Sequence, residues 1–158
     1  MENNSIHTLN LKSTIPGVTV STDIIVGFPG EEEEDFLQTL SLVEECKFDN
    51  AFTFIYSERV GTPACKLKNS IPMDVREERL QRLNEVVNKY FLENNQKLLN
   101  TSVKVLVEGI SSKKNEYYGY SDTNKLVNFT SDKKINPGDI VDVLIDEVHT
   151  WSIDGKAR

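Results

Sequence analysis

The stretch Ser21-Thr-Asp-Ile-Ile-Val-Gly-Phe-Pro-Gly-Glu31 constrains the fold of this chain more than any other. Val18 to Val26 is rich in β-branched residues, which predicts a strand. Ile24, Ile25 and Val26 are consecutive, so the strand is expected to be buried on both faces, as in a parallel sheet. Gly30 ends it. Glu31 to Asp35 then place five carboxylates in the first turn of a helix, where the positive end of the macrodipole favours them. Phe36, Leu40 and Val43 recur at helical spacing. After a turn at Phe48-Asp-Asn50, Ala51 to Tyr56 reads as a second strand. The run is a βαβ unit.

The pattern then changes twice. Gly61-Thr-Pro63 and Ile71-Pro72 mark an irregular loop, and Asp74 with Glu77 reads as an N-cap and its capping partner. A long helix is expected from there toward Leu99, about 39 Å at about 1.5 Å per residue. Leu80, Leu83, Val87 and Tyr90 share one face, and Glu78–Arg82 and Glu85–Lys89 are i,i+4 pairs in the favoured orientation. From Ser102 the period becomes two. Val103, Val105 and Val107 alternate with Lys104, Leu106 and Glu108, and Val141, Val143 and Ile145 with Asp142, Leu144 and Asp146. Tyr118 and Tyr120 share a face, and Leu126 to Phe129 is another short strand. Several short strands in the last third predict a small closed barrel of the OB-like kind. The fold class is therefore α/β, a strand–helix–strand–helix segment in residues 1–92, followed by a small all-β barrel in 93–158. Residues 1–20 are weakly patterned.

The 158 residues carry a net charge of −7, which argues against a general nucleic-acid binder. The charge is uneven. Residues 97–158 hold equal numbers of basic and acidic side chains, so the first part of the chain carries the whole excess. An RNA contact would fall more naturally on the neutral second part and would need local patches. No apolar run approaches the roughly 18 residues of a membrane span. The start Met-Glu-Asn-Asn-Ser has no secretory signal. Two cysteines, Cys46 and Cys65, fit no disulfide framework and suit a reducing cytoplasm.

Several motifs admit a bland reading. Gly27-Phe-Pro-Gly30 before a helix could cradle phosphate, but it is not Gly-x-Gly-x-x-Gly, has no Walker lysine, and is followed by glutamates that would repel an anion. A tight strand-to-helix turn is the simpler reading. Tyr56-Ser-Glu-Arg59 ends the second strand at the carboxyl edge, where α/β folds place ligands, or is an ordinary solvated loop. Cys46 lies on the apolar helix face as a small core residue. His7 and His149 show no ligand geometry readable from spacing. Lys113, Lys114, Lys125, Lys133 and Lys134 are interleaved with Tyr117, Tyr118 and Phe129. That pattern suits stacking on unpaired RNA, and equally suits solvated turns around core aromatics.

Four blocks in order carry a family resemblance: Ser21–Glu31, Phe52–Ala64, Asn124-Lys-Leu-Val-Asn-Phe129 and His149-Thr-Trp151. They resemble the C-terminal part of the radical S-adenosylmethionine tRNA methylthiotransferases, of the type that modifies isopentenyladenosine. The resemblance implies the last portion of a parallel radical SAM barrel, followed by a TRAM domain, an RNA-binding OB-like barrel. It implies that Ile25, Val26 and Phe28 wall the adenosyl part of the cofactor. It also implies that Arg59, Lys113, Lys114 and Lys125 face substrate or RNA. The chain departs from the family pattern at Glu32, where a hydroxyl is usual, and at Val60, where proline is usual.

The intact family methylthiolates the isopentenylated adenosine on the 3′ side of the tRNA anticodon, using S-adenosylmethionine and 4Fe-4S clusters. The cluster motif Cys-x-x-x-Cys-x-x-Cys does not occur here. The chain is therefore expected to hold no cluster, to be inactive alone, and to start inside a longer gene product. Its expected partners are the tRNA anticodon stem-loop and the missing N-terminal part of the enzyme. The alternatives are a stand-alone RNA-binding TRAM module or one subunit of a split enzyme. An independent nucleotide-binding α/β enzyme would lack a phosphate loop.

Overall fold

The computed structural model describes residues 2–67, 70–111 and 116–158. The chain divides into two compact units, Met1–Tyr90 and Phe91–Arg158. The first holds α1 (Glu2–Thr14), β1 (Ser21–Val26), α2 (Glu33–Cys46), β2 (Asn50–Ile55), a short 3-10 helix (Pro63–Lys66) and most of α3 (Met73–Gln96). The second holds the end of α3 and five strands: β3 (Ser102–Ile110), β4 (Glu116–Ser121), β5 (Leu126–Thr130), β6 (Ile140–Val148) and β7 (Ile153–Ala157).

In the first unit β1 and β2 run parallel, in register from Ser21 opposite Asn50 to Val26 opposite Ile55. The expected burial on both faces does not hold. Parallel register partners point to the same side, and β1 alternates. Val26 and Ala51 are buried, and Thr53 Oγ1 donates to Asn84 Oδ1 of α3 at 2.7 Å, so helix covers that side. On the other side Ile25 is 55 %, Phe52 54 % and Phe54 50 % exposed. Among the described residues of this unit nothing covers that face of the two-stranded sheet, so three apolar residues meet solvent.

Residues 2–14, weakly patterned in sequence, form α1. Ile6, Leu9 and Leu11 are exposed, whereas Ser5 and Thr8 are buried. No apolar stripe announces such a helix. It is held instead by polar contacts: Lys12 Nζ donates to the Lys47 carbonyl at 2.7 Å and pairs with Asp49 at 3.0 Å.

Three boundaries also differ from expectation. β1 begins at Ser21, not Val18. α2 begins at Glu33, so Glu31 precedes the helix and Glu32 is its N-cap, with its N–H donating to Asp35 Oδ2 at 3.0 Å. α3 begins at Met73, which puts Asp74 inside the first turn rather than at the cap. The helix ends at Gln96 after 24 residues, about 36 Å at about 1.5 Å per residue. Glu78 and Arg82 pair at 3.2 Å as expected. Glu85 instead accepts from Gln81 at 3.3 Å, and the Lys89 ammonium sits 5.1 Å from the Tyr90 ring centre.

In the second unit five strands close a barrel in the order β3-β4-β5-β7-β6. Every pairing is antiparallel except β5 with β7. Closure leaves no sheet edge open. The core is the inward half of each alternating strand: Val105, Val107, Tyr117, Val127, Phe129, Val143, Ile145 and Ile153, joined by Ile135 from a turn. Tyr117 and Phe129 stack at 5.6 Å.

Candidate functional site

The carboxyl edge of the small parallel sheet is built by a polar clasp. Gly27 leaves β1 with φ +74°, a conformation that favours glycine. Both Glu31 carboxylate oxygens accept from the Gly27 N–H at 3.1 Å. Arg79 of α3 donates to Glu31 Oε1 at 2.6 Å and to the Glu31 carbonyl at 3.1 Å, and lies 3.4 Å from Glu33. Arg82 reaches Glu33 at 2.8 Å. The Arg82 hydrogen bond holds the Glu33 carboxyl below its usual range, and the same bond raises the Arg82 guanidinium. Both guanidinium groups also lie over the Phe36 ring, at 5.6 and 4.8 Å. The glutamate run is thus engaged in joining α3 to the β1–α2 turn. This geometry is that of a tight structural turn rather than a phosphate cradle.

Arg76 completes the edge. It donates to the carbonyls of Ile71 and Tyr56 at 2.7 and 3.2 Å and to Ser70 Oγ at 2.8 Å. A Cβ at Gly27 would fall 2.5 Å from its side chain, so glycine is needed there twice over.

The three residues expected to wall a cofactor do not share one environment. Ile25 is exposed on the open face, Phe28 is exposed beyond the strand, and Val26 is buried on the helix-covered face. Phe28 meets the Tyr56 ring edge-on at 5.1 Å. The Val26 carbonyl already accepts from the Tyr56 N–H at 2.8 Å. The Tyr56 hydroxyl is buried with no partner among the described residues. Arg59 is exposed, and its carbonyl accepts from Thr62 N and Thr62 Oγ1 at 3.1 and 2.8 Å, which shapes the loop without proline at position 60.

The two thiols do not make a cluster site. Cys46 is buried, and desolvation pushes its thiol up. Cys65 lies in the 3-10 helix, its Sγ 2.9 Å from the Thr62 carbonyl. The whole sequence has no third cysteine, and an iron–sulfur cluster needs three or four thiolates.

On the barrel, Lys113 and Lys114 lie outside the described residues. The interleaved aromatics separate by strand alternation. Tyr117 and Phe129 belong to the core, while Tyr118 and Tyr120 face outward, each 37 % exposed. The Tyr118 ring lies across Gly109, where a Cβ would come within 2.7 Å of it. Leu106 of β3 pairs with both Tyr120 of β4 and Ile140 of β6, so these three side chains form one outward row across three strands. An open groove of about 540 Å³ follows this row, lined also by Lys104, Ser121 and Asn124 and by the acidic Glu108 and Asp122. Lys125 follows Asn124, whose φ of 59° makes the β4–β5 turn, and its N–H donates to Ser121 Oγ at 3.1 Å. Lys133 and Lys134 are exposed.

The row Tyr120–Leu106–Ile140 was the part that sequence reading missed. Its signal was present: Leu106 and Ile140 are apolar at outward positions of alternating strands. The His149-Thr-Trp151 block has a structural reading. Asn95 Nδ2 donates to the His149 and Thr150 carbonyls at 2.7 and 3.2 Å, and Trp151 meets Phe91 edge-on at 5.3 Å. The block fastens the β6–β7 turn to the end of α3.

No helix among the described residues is long and apolar enough to cross a membrane. Residues 96–157 match the TRAM domain family. Over 147 residues, 92 % of its length, the chain is 53 % identical to a tRNA-2-methylthio-N(6)-dimethylallyladenosine synthase of Bacillus cytotoxicus. The enzymes of the same name from Bacillus mycoides and Bacillus cereus are each 51 % identical over the same length. The chain spans 29 % of the length of each of these relatives.

Proposed function

We infer that this chain, which matches the C-terminal region of the tRNA methylthiotransferases and carries their TRAM domain, serves as the RNA-engaging end of such an enzyme. The observation that carries this reading is the identity of 53 % extending through both structural units rather than the barrel alone. The activity of the whole enzyme would be methylthiolation of the isopentenylated adenosine beside the tRNA anticodon, in the cytoplasm.

In this reading the first unit is the last part of a radical SAM barrel, with its open face turned to the lumen. Ile25 and Phe28 offer apolar side chains suited to the adenosyl group, and the Tyr56 ring packs edge-on against Phe28. Val26 would contribute through its backbone. S-adenosylmethionine would supply the methyl group and, with a reduced cluster, the radical chemistry. The cluster thiolates must come from residues outside this sequence, on the same polypeptide or on a partner chain.

The barrel would take the anticodon stem-loop. Tyr118, Tyr120, Leu106 and Ile140 give stacking and apolar surface, and Lys104, Lys125, Lys133 and Lys134 give attraction to phosphate. Lys113 and Lys114 would add further phosphate contacts on the barrel, and Arg59, on its exposed loop of the first unit, would face substrate or RNA there.

Fluorescence anisotropy with a labelled anticodon stem-loop tests the reading on the full chain at two salt concentrations. Weak binding that falls with salt and is shared among different loops is expected. No binding at low salt by the folded chain would remove RNA engagement from it.

A further inference from the structure

We propose that the β6–β7 turn holds a divalent transition-metal site of the zinc class, built by Glu147, His149 and Asp154. One donor atom from each lies within 4.8 Å of the others. His149 Nε2 is 3.4 Å from Asp154 Oδ2 and 3.7 Å from Glu147 Oε1. Zinc bonds to nitrogen and oxygen of about 2.0–2.2 Å in a tetrahedron place donors about 3.3–3.6 Å apart. The imidazole therefore already stands near tetrahedral spacing from each of the two carboxylates, whose own oxygens lie within 4.8 Å of each other. A small rotation of the exposed Glu147 side chain completes the three corners.

The backbone positions for this set are fixed from outside the cluster. Glu147 and Asp154 are register partners across β6 and β7, beside the bulge between Ile145 and Glu147. Asn128 Nδ2 donates to Asp154 Oδ1 at 3.0 Å, which leaves Oδ2 turned to His149. The His149 N–H donates to the Ser152 carbonyl at 2.9 Å, and Asn95 holds the His149 carbonyl. Outer hydrogen bonds of this kind orient metal ligands. One imidazole with two carboxylates suits zinc, cobalt or nickel better than magnesium or calcium, which prefer all-oxygen sites. Three protein donors leave the fourth position to water.

Isothermal titration of the full chain with zinc chloride in chelator-free buffer tests the proposal, with cobalt absorption as the geometric readout. One zinc per chain is expected, with a tetrahedral cobalt spectrum. His149→Ala and Asp154→Asn should abolish binding while circular dichroism stays that of the parent. Asp154→Asn is isosteric and keeps the Asn128 contact, so it decides the matter if His149→Ala does not fold. Asn128→Ala should weaken affinity about 10–100-fold through lost orientation of Asp154. His7→Ala and Cys65→Ser should bind as the parent does. Absence of stoichiometric binding, survival of binding in Asp154→Asn, or its loss in Cys65→Ser would overturn the site. None of these readouts depends on RNA binding, so the two readings fail separately.

Discussion

Arg79 donates to both the carboxylate and the backbone carbonyl of Glu31, 48 positions away in sequence. With side-chain exposures of 6 % and 13 %, the two are nearly out of water. A buried pair adds little over an apolar substitute of the same shape, but removing one partner strands the other. Arg79→Met should therefore destabilise the first unit by about 3–5 kcal/mol. Urea denaturation followed by helical circular dichroism measures it. A loss below about 1 kcal/mol would mean that Glu31 finds water.

The Glu33–Arg82 bond carries a pH signature. Its folded carboxyl titrates below the usual Glu value of 4.5. The sign follows from linkage: a depressed carboxylate adds stability above its unfolded value, and loses it as pH falls through the folded one. Glu33 is half exposed, so the effect is at most about 1 kcal/mol. Glu33→Gln should lower the urea midpoint at pH 7 and converge with the parent as pH falls below 4.5. A difference that persists at acid pH would assign it to packing.

Phe129 and Tyr120 should part company on truncation. Phe129→Ala removes a core ring and should cost about 3–5 kcal/mol, unfolding the barrel. Tyr120→Ala should leave the thermal midpoint within a few degrees, yet weaken stem-loop binding by about 1–3 kcal/mol if a base stacks there. Unchanged anisotropy with Tyr120→Ala would move the RNA surface away from the Tyr120–Leu106–Ile140 row.

Ile25 and Phe54 face each other across β1 and β2 on the uncovered side. Such a patch binds hydrophobic dye and invites association. Ile25→Thr with Phe54→Thr should reduce dye fluorescence several-fold while the circular dichroism spectrum is retained, because threonine keeps strand propensity. Amide exchange should also be faster before Phe91 than after Thr101, since the two-stranded sheet has open edges and the barrel has none. Uniform protection across the chain would contradict this.

Thiol titration distinguishes the cysteines. Cys46 is buried with its thiol pushed up, so only Cys65 should react with a disulfide reagent in the native chain. Two fast thiols would show that the α2 core opens readily.

Local pattern alone carried much of this architecture. The βαβ run, the long amphipathic helix and the two-residue alternation of the last third were all legible, because each reports a repeating contact with one apolar face. The family resemblance was legible in four blocks; the last two fall within the TRAM match over residues 96–157, and the 53 % identity to the Bacillus cytotoxicus enzyme extends over 92 % of the chain. Three things needed the tertiary structure. α1 has no apolar stripe, and its hold on the unit runs through Lys12 and Asp49, distant in sequence. The exposure of Ile25 depends on how many layers cover the sheet, which a run of three apolar residues cannot encode. The grouping of Glu147, His149 and Asp154, like the row of Tyr120, Leu106 and Ile140, arises from strand register. Register is a relation between paired strands: the β6–β7 hairpin brings Glu147, His149 and Asp154 together, and the long-range β3–β6 pairing brings Ile140 to Leu106.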